Sequence, residues 1–365
     1  MIKLIKFIPV LLLLGATDLY AQGEGLTGEE QAFKDSIEAL NLDFATVQKA
    51  KEAYNQGIKQ FEAKDYKGAV TSFGSSIKLF PRFLNAYFNR GVAYSQMKNY
   101  EKAISDFSTV IDSSNTRAGA YAKRAEAYGA MGEYDKAIGD YKATVKLQPR
   151  NAVAYYNMGD MYFMKEEYLT AINEFTKAIK IDNNYAYSYN DRGSSYRRLE
   201  KYAEAIMDYQ KAASISPDLA FIYNNLGSTR KKMGRYEEAL SAFNKAVEVN
   251  PEFYIAYNNR GGLYFAQGKM DLALKDFNQA IKINNKYAPA YSNRGSVMHQ
   301  QEKYKEAISD FDKAIQSNPQ YANAYVNRGT SKEMIRDIVG ACSDWNKATE
   351  LGSEQGKKYQ MNNCY

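Results

Sequence analysis

Residues 257–261 read Tyr-Asn-Asn-Arg-Gly, and this phrase returns as Tyr-Ser-Asn-Arg-Gly at residues 291–295 and as Tyr-Val-Asn-Arg-Gly at residues 325–329. Each copy follows the one before it by 34 residues. The same step, followed toward the N-terminus, finds one glycine per copy and a single alanine: Gly57, Gly91, Ala125, Gly159, Gly193, Gly227, Gly261, Gly295 and Gly329. Nine copies in constant phase, without an insertion, indicate a repeat array rather than one large core.

Each copy also carries a fixed pattern of small and large residues. An alanine stands twelve residues after the glycine position and an aromatic residue four further on, as in Ala239 and Phe243. The glycine and the alanine predict two helices that approach closely, and the aromatic side chain fills the space between neighbouring repeats. Five of the seven prolines share one position, 24 residues after the glycine. Because proline cannot continue a helix, it predicts the end of the second helix there.

The period and its glycine, alanine, aromatic and proline positions resemble the tetratricopeptide repeat (TPR) family over residues 50–355. The resemblance implies an all-α fold, a right-handed TPR superhelical solenoid of nine 34-residue helix-turn-helix repeats with terminal capping helices. The last segment, from Gly340 to Trp345 with Cys364, is similar to the closing repeat of exported TPR proteins of the Bacteroidetes type.

The two ends of the chain lie outside the repeats. Residues 1–21 combine a basic start with a short apolar run, which predicts a secretory signal peptide cleaved after Ala21. No cysteine stands near that position, so we expect a periplasmic or secreted protein without a lipoprotein anchor. Residues 22–49 are expected to form a linker and an N-terminal capping helix, and residues 356–365 a C-terminal capping segment. After cleavage we expect no integral membrane segment.

Composition argues against several classes of function. The formal charge of +6 is small and dispersed, whereas a nucleic-acid interface needs a clustered basic face. His299 is the only histidine, which supports neither a metal site nor an acid–base relay, and a histidine without chemistry is the plain alternative. No catalytic or phosphate-binding motif is present. We therefore expect no enzyme activity, no metal and no cofactor.

A row of asparagines is the first candidate binding feature. Asparagine recurs two residues before the glycine at Asn55, Asn89, Asn157, Asn225, Asn259, Asn293 and Asn327, with Lys123 and Asp191 as the exceptions. The TPR resemblance implies that first helices line a concave face. An amide both donates and accepts, so the row predicts contacts with a peptide backbone. It resembles the asparagine ladder of the O-GlcNAc transferase superhelix. Helix packing is the alternative explanation for the row.

Aromatic and basic residues suggest zones on the same predicted face. Aromatic candidates lie in the early repeats: Tyr54, Phe61, Phe88, Tyr156 and Phe163. The basic candidates follow in the fifth and sixth repeats, beside Arg230: Arg197, Arg198, Lys231 and Lys232. This arrangement predicts a protein or peptide partner that carries acidic groups. Alternatively, the basic residues only complement the dipoles of helix C-termini.

The only two cysteines are Cys342 and Cys364. An oxidising compartment favours a disulfide between them, which would fix the C-terminal cap to the last repeat. Two reduced cysteines are the alternative. Taken together, the sequence predicts a non-enzymatic scaffold that holds a protein or extended peptide in the concave TPR groove. The competing hypothesis is a structural subunit of a cell-envelope assembly that docks through its convex face or edges.

Overall fold

The computed structural model describes residues 43–364, together with Asp35 and Glu38. That part of the chain contains helices and no strand, which confirms the predicted all-α class. The predicted signal peptide and the N-terminal capping helix lie outside the described residues. The described helices are α1 Phe44–Glu62, α2 Tyr66–Leu79, α3 Leu84–Gln96, α4 Tyr100–Ser113, α5 Ala118–Ala130, α6 Tyr134–Leu147, α7 Ala152–Met164, α8 Tyr168–Ile181, α9 Ala186–Arg198, α10 Tyr202–Ile215, α11 Ala220–Lys232, α12 Tyr236–Val249, α13 Tyr254–Ala266, α14 Met270–Ile283, α15 Ala288–Gln300, α16 Tyr304–Ser317, α17 Ala322–Met334, α18 Ile338–Glu350 and α19 Glu354–Asn363.

Helices α1 to α18 form consecutive pairs, one pair for each copy of the sequence pattern. The first helix of the array begins at Phe44, capped by the Asp43 side chain, which accepts from the Thr46 amide. Residues 44–49 therefore belong to the first repeat, whereas the sequence pattern assigned them to the preceding linker. Second helices end before the proline position, as α10 does at Ile215.

The chain divides into two compact units, one ending at Asn183 and the other beginning at Asn184. The first unit contains the described helices α1–α8, and the second contains α9–α19. In the second unit the first helices of successive repeats, α9, α11, α13, α15 and α17, also contact one another directly. Helix α19 packs on α18, where the rings of Tyr359 and the buried Trp345 lie 5.3 Å apart.

The glycine of each repeat is required by a close approach between its two helices. A Cβ placed on Gly261 would lie 2.8 Å from Cε1 of Phe277, which is closer than non-bonded carbon atoms allow. Phe277 and Ala273 are both completely buried. The small residues therefore let the helices meet, and the aromatic side chain fills the core beside them. This arrangement recurs along both units.

The turn inside each repeat contains one residue with positive φ, seven positions after the glycine. Three of these residues are glycines, Gly132, Gly234 and Gly268, with φ of 79°, 74° and 74°. The other six are Lys64, Lys98, Glu166, Glu200, Glu302 and Arg336, with φ between 58° and 64°. A left-handed residue commonly terminates a helix, but side chains other than glycine and asparagine adopt it at a cost. All nine turns therefore have the same backbone conformation at this position, although the residue type differs.

A paired arginine and aspartate join the two helices of many repeats. The guanidinium, one residue before the glycine, donates from both Nε and Nη2 to the two oxygens of a carboxylate 16 residues later. The pairs are Arg90–Asp106, Arg124–Asp140, Arg192–Asp208, Arg260–Asp276, Arg294–Asp310 and Arg328–Asp344. Such bidentate, nearly buried pairs fix the geometry between helices as well as contributing energy. The sixth repeat carries Leu226 and Ala242 at these two positions instead.

Candidate functional site

The asparagine row forms a hydrogen-bonded network in the second unit. Each of three row members donates a side-chain N–H to an amide oxygen of the preceding repeat: Asn225 to Asn190 at 3.1 Å, Asn259 to Asn224 at 2.8 Å and Asn293 to Asn258 at 2.8 Å. A longer bond of 3.4 Å from Asn258 to Asn259 continues the network along the helices. We call the surface formed by these six side chains the amide face.

Two layers of amides make up this face, and the sequence pattern predicted only one. The deeper layer stands three residues before the glycine and consists of the buried Asn190, Asn224 and Asn258. The three row members of this network are half-buried, so Asn225, Asn259 and Asn293 still reach solvent. The Asn-Asn pairs at 224–225 and 258–259 were the signal that could have shown the deeper layer. Each of these amides packs against a neighbour and presents a polar edge to solvent, so the packing explanation applies, while contact with a peptide backbone stays a prediction.

The remaining row members have different environments. Asn89 is completely buried and donates to the Tyr54 hydroxyl at 2.7 Å, so it serves packing and offers no surface to a ligand. Asn157, half-buried in the first unit, hydrogen-bonds the hydroxyl of Tyr141. Asn327 is also half-buried and makes only a long bond of 3.4 Å to Ser296 Oγ.

The predicted basic residues divide into a half-buried and an exposed pair. Arg197 and Lys231 are half-buried, and neither side chain has an ion-pair or hydrogen-bond partner within residues 43–364. Burial, with a contribution from the charge of Lys232, lowers the pKa of Lys231 below its ordinary value. Lys231 Nζ lies 3.7 Å from the position that a Cβ on Gly262 would occupy, so its ammonium group reaches across to α13. Arg198 and Lys232 are exposed.

Arg230 does not belong to this basic group. Its guanidinium turns to α12, where Nη1 donates to the Glu238 carbonyl oxygen at 3.3 Å and Nε lies 3.5 Å from the Glu238 carboxylate. Burial lowers the pKa of Arg230. The arginine therefore contributes to the contact between the two helices of its own repeat.

The aromatic candidates lie in the first unit and take part in packing. The Tyr156 ring centroid lies 5.7 Å from that of Phe175, and Phe163 meets Tyr168 edge-on at 5.4 Å. Tyr156 and Phe163 stay half-buried. Tyr54 and Phe88, which the sequence also placed on this face, are buried. The aromatic zone is accordingly smaller than the pattern predicted.

A cleft in the first unit was missed by the sequence interpretation. It lies between α5 and α7, has a volume of about 440 Å³ and opens to solvent. Its lining consists of Glu126, Gly129, Ala130, Tyr134, Tyr141, Asn157, Asp160, Met161 and Met164. The signal for it is the pair of small residues, Gly129 and Ala130, at positions where α7 carries Phe163 and Met164.

His299, the only histidine of the sequence, is the remaining candidate for chemistry. His299 Nδ1 lies 2.8 Å from Ser331 Oγ, and burial lowers the pKa of this imidazole. Residues 43–364 contain no group of three side chains placed to hold a metal ion. None of the described helices is long and apolar enough to cross a membrane.

The cysteine sulfurs are joined in the structure, with Cα atoms 5.7 Å apart and a sequence separation of 22 residues. Cys342 lies in α18, and Cys364 follows the last residue of α19. The bond holds α19 against the final helix pair. That the purified protein carries this disulfide stays a prediction, which alkylation before and after reduction tests.

Models of known repeat families match several segments of this chain. Family models described as tetratricopeptide repeat match residues 184–252, 224–289 and 84–112, and one described as TPR repeat matches residues 126–165, 159–199 and 295–332. Together they span most of residues 84–332. The chain belongs to the tetratricopeptide repeat family. The search of curated proteins found no match for this TPR protein.

Solved structures support the same fold. The Cut9 and Hcn1 hetero-tetramer of the APC/C superposes with a TM-score of 0.57 at 13% identity, covering 87% of this chain and 76% of that one. Pseudomonas aeruginosa pilF superposes with a TM-score of 0.50 at 21% identity, covering 57% of this chain and 96% of its own. At these identities the similarity concerns the fold alone. The predicted TPR solenoid is thereby confirmed.

Proposed function

We propose that this TPR protein is a non-enzymatic scaffold that binds an extended, acidic segment of a partner protein along the amide face of its second unit. Family membership supports protein–protein interaction as the general function. The face offers two kinds of contact. The second N–H of Asn225, Asn259 and Asn293 can meet backbone carbonyls, and the cationic ends of Arg197 and Lys231 can meet carboxylates.

The observation that carries this proposal is the environment of Arg197 and Lys231. Both cations are half-buried, and no carboxylate of the described chain lies within ion-pair distance of either of them. Taking a charge partly out of water without a partner costs free energy. A carboxylate of a bound partner would offset this desolvation free energy by pairing with the cation. The amide face therefore favours an anionic ligand group. Six other arginines of the array already have their carboxylates, which sets Arg197 apart.

The test begins with a displayed library of random peptides selected against the mature protein. Binding of a selected peptide is then measured by fluorescence anisotropy. Replacing Asn225, Asn259 and Asn293 by alanine should weaken binding at every salt concentration. Asn89→Ala is the matched control, because it removes a buried asparagine of the same row and should leave affinity unchanged. A library that yields no binder, or a peptide that binds every variant equally, would refute the proposal.

The basic pair should give a different signature. Arg197→Glu with Lys231→Glu should weaken binding more than about tenfold, since losing one partner of a desolvated charge pair costs about 2 kcal/mol or more. The loss should be greatest at low salt, because the half-buried cations still reach solvent and salt partly screens their attraction for a carboxylate, over about 8 Å at physiological ionic strength. Lys245→Glu with Lys347→Glu controls for net charge, since both lysine side chains are exposed and the double change alters the charge by the same amount.

We further propose that the protein is exported to the periplasm or beyond. Support comes from the composition of residues 1–21 and from the cysteine pair, which suits an oxidising compartment. Cell fractionation with sequencing of the mature N-terminus tests this. We expect a chain that begins at Gln22, and a cytosolic chain that retains residues 1–21 would contradict the proposal.

A structural subunit of an envelope assembly is the second candidate. It is favoured by four apolar side chains exposed around the turn between α17 and α18: Met334 at 51%, Ile335 at 42%, Ile338 at 47% and Val339 at 85%. Exposed apolar patches commonly mark interaction sites. If docking uses this edge, Val339→Lys should abolish incorporation into the assembly, measured by co-sedimentation with envelope fractions, while peptide binding on the amide face remains.

A further inference from the structure

The cleft between α5 and α7 exists because two small residues interrupt an otherwise crowded surface. Gly129 and Ala130 stand where the next first helix has Phe163 and Met164. A Cβ on Gly129 would lie 2.9 Å from the Met161 sulfur, so any side chain there would intrude into the space. The opening therefore depends on the small residues at these two positions of the third repeat.

The charged residues of the lining are negative. Glu126 on α5 and Asp160 on α7 contribute carboxylates to it. The Tyr141 hydroxyl is buried, and its pKa is raised by that burial and by the charge of Glu126, with Asp160 acting in the same direction. Both carboxylates therefore act electrostatically on the interior of the cleft. Lys123 pairs with Glu126 at 2.6 Å, where Glu126 remains 44% exposed, so this carboxylate can also accept from a second cation.

The remaining lining is apolar or aromatic. Met161 and Met164 provide flexible thioether side chains, and Met164 is 50% exposed. Methionine adapts its shape to an aliphatic chain. Tyr134 supplies a ring that a cation can approach. The cleft thus combines an apolar surface, formed by the methionines and the ring, with two carboxylates.

We propose that this cleft binds a basic side chain, lysine or arginine, of a partner protein. The aliphatic stem would lie against the two methionines and Ala130, and the charged end would lie among Glu126, Asp160 and the Tyr134 ring. Long basic side chains combine these two properties, since an apolar stem ends in a cation. An anionic side chain is repelled, and a metal ion lacks a third ligand among the described residues. This site is separate from the amide face and extends the proposed function to a second class of contact.

Methionine methyl NMR on the full mature chain tests the proposal with small probes. N-acetyl-arginine amide and N-acetyl-lysine amide are titrated, and N-acetyl-norleucine amide serves as the uncharged control. We expect saturable shifts of the Met161 and Met164 methyl signals with the two cationic probes and little change with norleucine. Signals are assigned by replacing each methionine with leucine. Equal responses to all three probes, or no response, would overturn the proposal.

Variants of the lining make the test specific. Asp160→Asn should weaken binding of the cationic probes about tenfold, as expected for the loss of a charge-assisted contact. Gly129→Leu should fill the cleft and remove the response, with circular dichroism to show that the array stays helical. Glu248→Gln, in the second unit, is the charge-matched control and should bind as the wild type does. If Asp160→Asn binds the probes unchanged, the assignment of the cleft fails, whatever the outcome on the amide face.

Discussion

The pair formed by Arg294 and Asp310 permits a quantitative test of how the two helices of a repeat are joined. Arg294 donates to the carboxylate through Nε at 2.8 Å and through Nη2 at 2.7 Å. Its Nη1 donates to Asn278 of the preceding repeat at 2.6 Å. The side chains are 20% and 8% exposed, so water screens the pair only weakly. One guanidinium therefore connects three helices.

The cost of breaking this pair follows from its burial. Arg294→Leu leaves the Asp310 carboxylate enclosed without its cation, and breaking a buried pair in this way costs about 3–5 kcal/mol. The sixth repeat shows that the array accepts an apolar alternative, because it has Leu226 and Ala242 at the same two positions. The double variant Arg294→Leu with Asp310→Ala copies that repeat. It should recover most of the lost stability, to within about 1 kcal/mol of the wild type.

Urea unfolding followed by circular dichroism gives the free energies for this double-mutant cycle. Because repeat arrays can unfold in parts, hydrogen exchange of α15 and α16 should accompany it. The exposed pair Lys245–Glu248 is the matched control, with an expected coupling energy within about 0.5 kcal/mol. The reasoning fails if Arg294→Leu costs less than about 1 kcal/mol, or if the double variant is as unstable as that single variant.

Three further predictions concern the ends, the turns and the tyrosines. Cys342 and Cys364 of the oxidised protein should resist alkylation until they are reduced. Reduction should lower the free energy of unfolding by ~3 kcal/mol, mainly in the last repeat. Free thiols in protein from an oxidising compartment would contradict this prediction. Glu302→Gly should stabilise the array by about 0.5–1 kcal/mol, because glycine adopts the positive φ of 59° without steric cost. Gly234→Ala, at a φ of 74°, should destabilise the array in the same urea assay. Burial and neighbouring tyrosines raise the pKa of Tyr287 to about 12. The unfolded chain thus loses this proton first, near its ordinary pKa of about 10, so stability should fall between these two pH values, and less so in Tyr287→Phe.

Most of the fold could be predicted because the same pattern of small and aromatic residues occurs in nine consecutive copies. Glycine, alanine and an aromatic residue at fixed spacing leave few arrangements other than a close helix pair. The arginine–aspartate pair also has a fixed 16-residue spacing, such as Arg260 to Asp276, but it was not predicted from the sequence. Predicting it requires knowing how the two helices of a repeat align, because the partners lie on different helices. The start of α1 at Phe44 could not be fixed, since the residues before the first repeat have no second copy to compare.

The candidate site was less predictable, because a repeated position does not repeat its surroundings. Asn89 and Asn259 occupy the same position relative to the glycine, yet one is buried and the other is half-buried. The difference lies in the preceding repeat, which offers the Tyr54 hydroxyl to Asn89 and an amide oxygen of Asn224 to Asn259. Periodicity identifies the row, and only the contact between repeats decides which members reach solvent.

The deeper amide layer also sets the extent of the proposed binding surface. Its asparagines occur in repeats five to seven, whereas repeats eight and nine have Ser292 and Val326 at that position. Consequently Asn293 is the last row member that donates to an amide of the preceding repeat, and Asn327 is left with a long bond to Ser296. Each donated N–H holds its asparagine in one orientation, which lowers the conformational entropy lost when a ligand binds. The ordered amides therefore occupy α11, α13 and α15, and the uncompensated cations Arg197 and Lys231 lie on α9 and α11. A ligand that uses both sets of contacts needs its carboxylates at one end of the bound segment.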